Sequence, residues 1–217
     1  TVTQTETEPS VEAHVCPSGC QYSKINTALQ SFSNGETLIV KPGVYKETIS
    51  FPQAGLNITV KCEDETDTDD LLEGQGCVID GDVNGDDAKD ESGNWIHRDD
   101  NLGSLVNFSG GGNNVGSLIG FTIQNGEGSS GAGIFISDGV HPTLTNLTVT
   151  NNRSQSNGSG GGIYMNQSNA RFTNVTVSNN VSPTNGGGIA TFLSNPVFKN
   201  LKVYGNYAFN GGGINLY

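Results

Sequence analysis

A chain of 217 residues has room for one large domain or two small ones, but 33% apolar content and 31 glycines leave too little hydrophobic material for a thick layered core. A formal charge of −12 argues against a nucleic-acid partner, which demands clustered Lys and Arg. No run of 18 apolar residues occurs, so no membrane-spanning helix is expected.

Residues 1–15 are Thr-rich and irregular and read as an exposed arm. The chain starts at Thr1 without a basic and apolar leader, which suggests that a signal peptide has been removed. Cys16 and Cys20 enclose Pro-Ser-Gly, and Cys62 and Cys77 bracket an acidic stretch. An even count at these spacings favours two disulfides and a secreted protein. Four cysteines allow three pairings; the short separations favour Cys16–Cys20 and Cys62–Cys77. A zinc site is the rival, but C-x3-C followed by widely spaced single cysteines matches it poorly.

Tyr22, Ile25, Ala28, Leu29 and Phe32 recur at helical spacing, with Ser23 as N-cap candidate. This predicts a helix over Tyr22–Phe32 that covers the first coil of a repeat array. Gly35 ends it, and strands are expected at Thr37–Val40, Val44-Tyr45 and Leu56–Cys62. The segment at about 63–100 holds 15 of the 22 Asp and Glu and reads as an acidic insertion. Within it Asp80, Asp82, Asn84 and Glu91 match the spacing of a calcium loop, with Gly85 at the sharp turn and Asp86 offering its carbonyl. Calcium is the one cofactor the sequence suggests; against it, Val78-Ile79-Asp80-Gly81 also reads as an ordinary β-helix strand and turn, and a solvated acidic loop tied at Cys62–Cys77 is the plainer alternative.

From Leu118 onward four segments align: LIGFTIQN, LTNLTVTN, FTNVTVSN and FKNLKVYG, with steps of 26, 28 and 26 residues. Each is followed by a Gly-rich turn and an apolar strand whose Ile falls at 134, 163, 189 and 214. A propeller blade is longer and a leucine-rich repeat carries a different consensus. The period suits a parallel β-helix whose coils stack at about 4.8 Å. Leu144, Leu147 and Val149, like Phe172, Val175 and Val177, fill the interior if Asn146 and Asn174 bend the strand. With Asn200 these asparagines are placed to form an amide ladder. The expected architecture is all-β, a single right-handed parallel β-helix over 16–217 with an N-terminal capping helix.

The Gly187-Gly188-Ile189 motif and its equivalents, with Phe172-Thr173-Asn174 and Phe198-Lys199-Asn200, resemble repeats of the pectin-lyase-like superfamily. They are most similar to the GGxI repeats of polymorphic outer-membrane proteins and adhesin-like surface proteins. That resemblance implies an extracellular structural or adhesive protein. The polysaccharide lyases and hydrolases of the superfamily imply an alternative, a polysaccharide-binding or polysaccharide-cleaving protein.

Cleavage needs two carboxylates flanking one glycosidic bond at about 5–10 Å. Between Asn101 and Tyr217 the carboxylates are Glu127 and Asp138, which do not recur on neighbouring coils, so no catalytic residue is assigned. His141 before Pro142 reads as a turn histidine. Thr148 and Thr176 align with Lys202, which breaks the threonine row an ice-binding face would need. Tyr164, Tyr204 and Tyr207 are candidates to stack on sugars.

Eight sequons occur, at Asn57, Asn107, Asn146, Asn152, Asn157, Asn166, Asn174 and Asn180. Asn146 and Asn174 are expected to be inward ladder residues. Asn152, Asn157, Asn166 and Asn180 lie in predicted turns and, with Asn57 and Asn107, are the glycan acceptors expected. The partners are a polysaccharide or cell surface, or the protein itself: an arm over 1–13 could add as a strand to a preceding subunit beyond Tyr217, building a head-to-tail filament.

Overall fold

A computed structural model describes residues 14–52, 56–63, 76–85, 88–89, 95–96, 102–110 and 116–217. It is an all-β parallel solenoid of about six turns, as the repeats dictate. Each complete coil crosses up to three parallel sheets. The largest sheet carries Thr143–Thr150, Arg171–Ser178 and Val197–Tyr204 in register, Leu144 opposite Phe172 and Phe172 opposite Phe198. The second stacks Ile134–Ile136, Ile163–Asn166, Ile189–Phe192 and Ile214–Leu216. A third consists of Glu127–Gly128, Arg153–Ser154, Val181–Asn185 and Tyr207–Asn210. Its first two strands are two-residue polar pairs and give no apolar signal in the sequence.

The core is a column rather than a layer. Leu144, Leu147, Val149, Phe172, Val175 and Val177 all point inward and are buried. Such alternation fails across a bend unless one residue leaves the β region, and Asn146, Asn174 and Asn200 do so at φ 53, 55 and 54°. Asparagine tolerates this left-handed conformation because its short side chain bonds locally. Earlier coils break the strand at the same place. Ser117–Ile119 and Phe121–Gln124 flank Gly120 (φ 84°), and Thr59–Cys62 and Cys77–Asp80 flank the first acidic excursion. A Cβ on Gly120 would come within 3.1 Å of the Cys62 Cβ.

The acidic segment is therefore not one insertion. Cys77–Asp80 pairs with Gly43–Tyr45 on one side and Phe121–Gln124 on the other, and so belongs to the solenoid. One excursion leaves at the bend, where Cys62–Cys77 closes it with Cα atoms 5.8 Å apart; Cys16–Cys20 is the other disulfide. The second excursion includes an antiparallel pair, Ala88–Lys89 with Trp95–Ile96. The arm also ends earlier than expected, because His14–Val15 pairs with Ile39 and Val40 and Val15 is buried. Residues 1–13 lie outside the described residues.

The N-terminal helix is shorter than its apolar periodicity suggests, Ile25–Leu29, and packs Ile25, Ala28 and Leu29 against the first coil. Ser23 does not cap it. The Glu47 carboxylate, almost fully buried, accepts the Ile25 and Asn26 N–H groups at 2.8 and 3.0 Å. A capping carboxylate 22 residues away leaves no local sequence signal.

Candidate ligand-binding face

The outward residues of the first sheet form rows across the coils, because parallel pairing keeps equivalent positions in register. Thr122, Thr148, Thr176 and Lys202 make one row, Thr145, Thr173 and Lys199 another. Thr122 extends the threonine alignment by one coil beyond the expectation. Neighbouring residues of a row lie about 4.8 Å apart, and alternate residues of a strand about 6–7 Å. Between these rows runs the bend, and here the ladder faces outward rather than inward. Asn174 Nδ2 donates to Asn146 Oδ1 at 3.0 Å, and Asn200 Nδ2 donates to Asn174 Oδ1 at 2.9 Å. All three asparagines are exposed. A shallow groove of about 490 Å³ runs beside them, lined by Asn174, Thr176, Asn200, Leu201 and Lys202.

The inward ladder is built from different residues, one position past the next corner. Asn180 Oδ1 accepts from the Asn152 N–H and Nδ2 at 2.9 and 3.0 Å, and Asn206 Oδ1 accepts the same pair from Asn180. Asn152 Oδ1 in turn accepts the Gly126 N–H. Asn152 and Asn180 are fully buried, so their expected role as turn-borne glycan acceptors is corrected: a glycan on either has no room in this fold. Asn57 and Asn157 are exposed. Asn107 is half-buried with Nδ2 donating to Ser104 O, and half-buried Asn166 closes a strand instead of lying in a turn.

Lys61 and Asp80 are the charged side chains of one early coil of the first sheet, and the other cations gather on its last two coils. Asp80 is the one carboxylate on the described strands of this sheet. Its Oδ1 accepts from the Asp82 N–H and Asn125 Nδ2, and its Oδ2 from Gln124 Nε2, at 2.9–3.0 Å. Asp82 Oδ1 accepts the Gly85 N–H at 2.7 Å. These residues of the calcium-loop pattern thus brace a turn. Asn84 is exposed beside them, Asp86 and Glu91 lie outside the described residues, and among the described residues no three acidic, His or Cys groups converge. At the opposite end Arg171, Lys199 and Lys202 point outward, and among the described residues the one ion pair is Lys41–Glu63 at 4.0 Å. Asp80 is four rungs from Tyr204, about 19 Å at the coil spacing and well beyond the screening length of about 8 Å in physiological salt. The cations are therefore not neutralised by it.

Tyr204 ends the outermost row, 58% exposed, on the same strand as Lys199 and Lys202. The structure thus brings Tyr204 to the cations. Tyr207, 70% exposed, lies on the third sheet, and Tyr164 packs against Phe135 on the second. His141 Nδ1 accepts the Asn169 N–H at 3.0 Å, consistent with a turn contact.

No known family model matches the chain, and no curated protein matches it. Among solved structures it is similar to a pectin methylesterase mutant in complex with a hexasaccharide, at 15% identity and a TM-score of 0.44, covering 86% of this chain and 66% of that one.

Proposed function

We propose that this is an extracellular binding protein whose first-sheet outer face holds an extended, negatively charged polysaccharide. The observation that carries the reading is the trio Arg171, Lys199 and Lys202, unpaired among the described residues in a protein of charge −12, beside a row of threonines and an amide ladder. A polysaccharide repeats its carboxylates or sulfates along a line, as a solenoid repeats its side chains. The ammonium and guanidinium groups meet the anions, Thr hydroxyls and Asn amides meet the sugar hydroxyls, and Tyr204 offers a face to one ring. Two disulfides support the extracellular placement. Binding is favoured over cleavage because Asp80, the carboxylate on these strands, already accepts three hydrogen bonds.

Affinity electrophoresis through polygalacturonate, dextran sulfate and neutral dextran tests the reading. Retardation is expected in the first two gels, weakening with salt as counterion release requires. Lys199→Ala/Lys202→Ala should weaken it roughly tenfold, at about 0.5–1 kcal/mol per exposed cation. Equal retardation in neutral dextran, or an unchanged double variant, would overturn it.

A further inference from the structure

The fold sorts the eight sequon asparagines by what surrounds each side-chain amide. Asn152 and Asn180 are fully buried and spend their Nδ2 groups inside the solenoid. Asn146 and Asn174 are tied to each other in the outward ladder, Asn107 Nδ2 is held by Ser104 O, and half-buried Asn166 has its Oδ1 enclosed. Asn57 and Asn157 differ from all of these. Each is exposed, and its side-chain amide has no hydrogen-bond partner among the described residues.

Local structure holds both in that state. Gln155, Ser156 and Asn157 are three exposed residues in succession, in the connection from Arg153–Ser154 to Ile163–Asn166. Gly158 closes this turn: its N–H donates to Gln155 O at 2.7 Å, and its carbonyl accepts the hydroxyls of Ser154, Ser182 and Thr184. A Cβ there would collide with Ser129 O, so glycine is required and the turn is fixed beneath a free Asn157 side chain. Asn57 is pinned through its backbone instead. Its N–H donates to Asn34 Oδ1 at 2.7 Å, and its carbonyl accepts the Gly35 N–H at 2.9 Å. Residues 33–37 beside it are all exposed, which leaves open space over its side chain.

We propose that Asn57 and Asn157 carry N-linked glycans and that the buried sequons at Asn152 and Asn180 do not. The chemistry is transfer of an oligosaccharide from a lipid diphosphate carrier. The asparagine Nδ2 attacks the anomeric carbon; the N–C bond forms as the C–O bond to the diphosphate breaks, the lipid diphosphate leaves with the bonding electrons, and the amide nitrogen gives up one proton. The product must point into solvent, because its sugar hydroxyls stay hydrated only there. On Asn152 or Asn180 the same addition would place a sugar inside the coil and take a donor from the ladder, so a chain modified there does not fold. Both acceptors lie off the cationic face, Asn157 between the third and second sheets and Asn57 two residues before Thr59–Cys62 enters the first. The inference rests on the extracellular placement proposed above and not on that face.

The full chain, secreted from a cultured animal cell line behind an added leader, tests it. Peptide-N-glycosidase in heavy-oxygen water converts each glycosylated asparagine to a labelled aspartate, which peptide mass spectrometry locates. A sample kept in the same water without the enzyme corrects for spontaneous deamidation at Asn157-Gly158. Label is expected at residues 57 and 157 and absent at 152 and 180. Asn57→Gln and Asn157→Gln should each remove one step of gel mobility and leave the melting temperature of the enzyme-treated protein unchanged, since neither side chain makes a hydrogen bond. Lys199→Ala/Lys202→Ala should leave the labelling pattern unaltered, so this reading and the polyanion reading fail separately. An unlabelled Asn57 or Asn157, or label at Asn152 or Asn180 in the secreted protein, overturns the proposal.

Discussion

Replacing Asn180 by alanine removes the centre of the buried ladder. Four hydrogen bonds go: two that Asn180 Oδ1 accepts from Asn152, and two that its Nδ2 donates to Val149 O and Asn206 Oδ1. Their consequences differ. Asn152 Nδ2 keeps Ile123 O and Thr150 O as acceptors, and Asn206 Oδ1 keeps the backbone N–H of residue 180. The Asn152 backbone N–H has no such substitute and stays buried without an acceptor, at about 1–3 kcal/mol, and the other bonds add about 0.5–1.5 kcal/mol each where they are not replaced. The expected total is about 3–5 kcal/mol. For a chain of this size that lowers the melting temperature by roughly 6–20 °C. Asn174→Ala, in the outward ladder, loses solvent-exposed bonds and places alanine at φ 55°, for about 1–2 kcal/mol. Guanidinium unfolding followed by circular dichroism compares the two, and exchange of the Asn152 amide proton reports the local defect. Should the two variants prove equally stable, or Asn152 stay protected in Asn180→Ala, the inward ladder does not carry the weight assigned to it.

The disulfides differ in the loops they close, with sequence separations of 15 and 4. Cys62→Ser/Cys77→Ser should cost about 3 kcal/mol and Cys16→Ser/Cys20→Ser about 2; a reversed order of denaturation midpoints contradicts the loop-entropy account. Gly161→Ala would place a Cβ 2.3 Å from Val181 O and 2.6 Å from Gly187 O, so it should abolish soluble expression or cost several kcal/mol. Gly139→Ala, at φ 77° with open space around it, should cost about 1–2 kcal/mol, and similar yields and melting temperatures for the two would refute the packing argument. Burial, aided by the Glu47 carboxylate, pushes the Tyr45 phenol from 10.0 up to about 12. The fold thus favours the neutral phenol, so this contribution is complete below pH 10 and is lost as pH rises through about 12. Tyr45→Phe, which gives up the bond to Lys41 O, should show a flatter stability profile over that window, and an identical slope in both proteins would count against it.

The sequence by itself determined the repeat and therefore the fold. Coils of about 26 residues with one apolar strand after a Gly-rich turn have few ways to bury those side chains, and parallel stacking is the one their spacing allows. It also determined the inward positions, since Leu144, Leu147 and Val149 make sense on one face only with a bend at Asn146. It could not decide which asparagines face in. Asn146 and Asn152 both lie close to apolar positions of their coil, and the choice depends on which backbone carbonyl stands within reach once a neighbouring coil is stacked. Val78-Ile79-Asp80-Gly81 reads as a solenoid strand and turn from the sequence too, but choosing that reading over an acidic insertion needed the pairing partners, which lie 34 and 44 residues away. The candidate face is decided by tertiary structure alone. Lys199, Lys202 and Arg171 come from two coils, and register between coils is what turns scattered side chains into a surface.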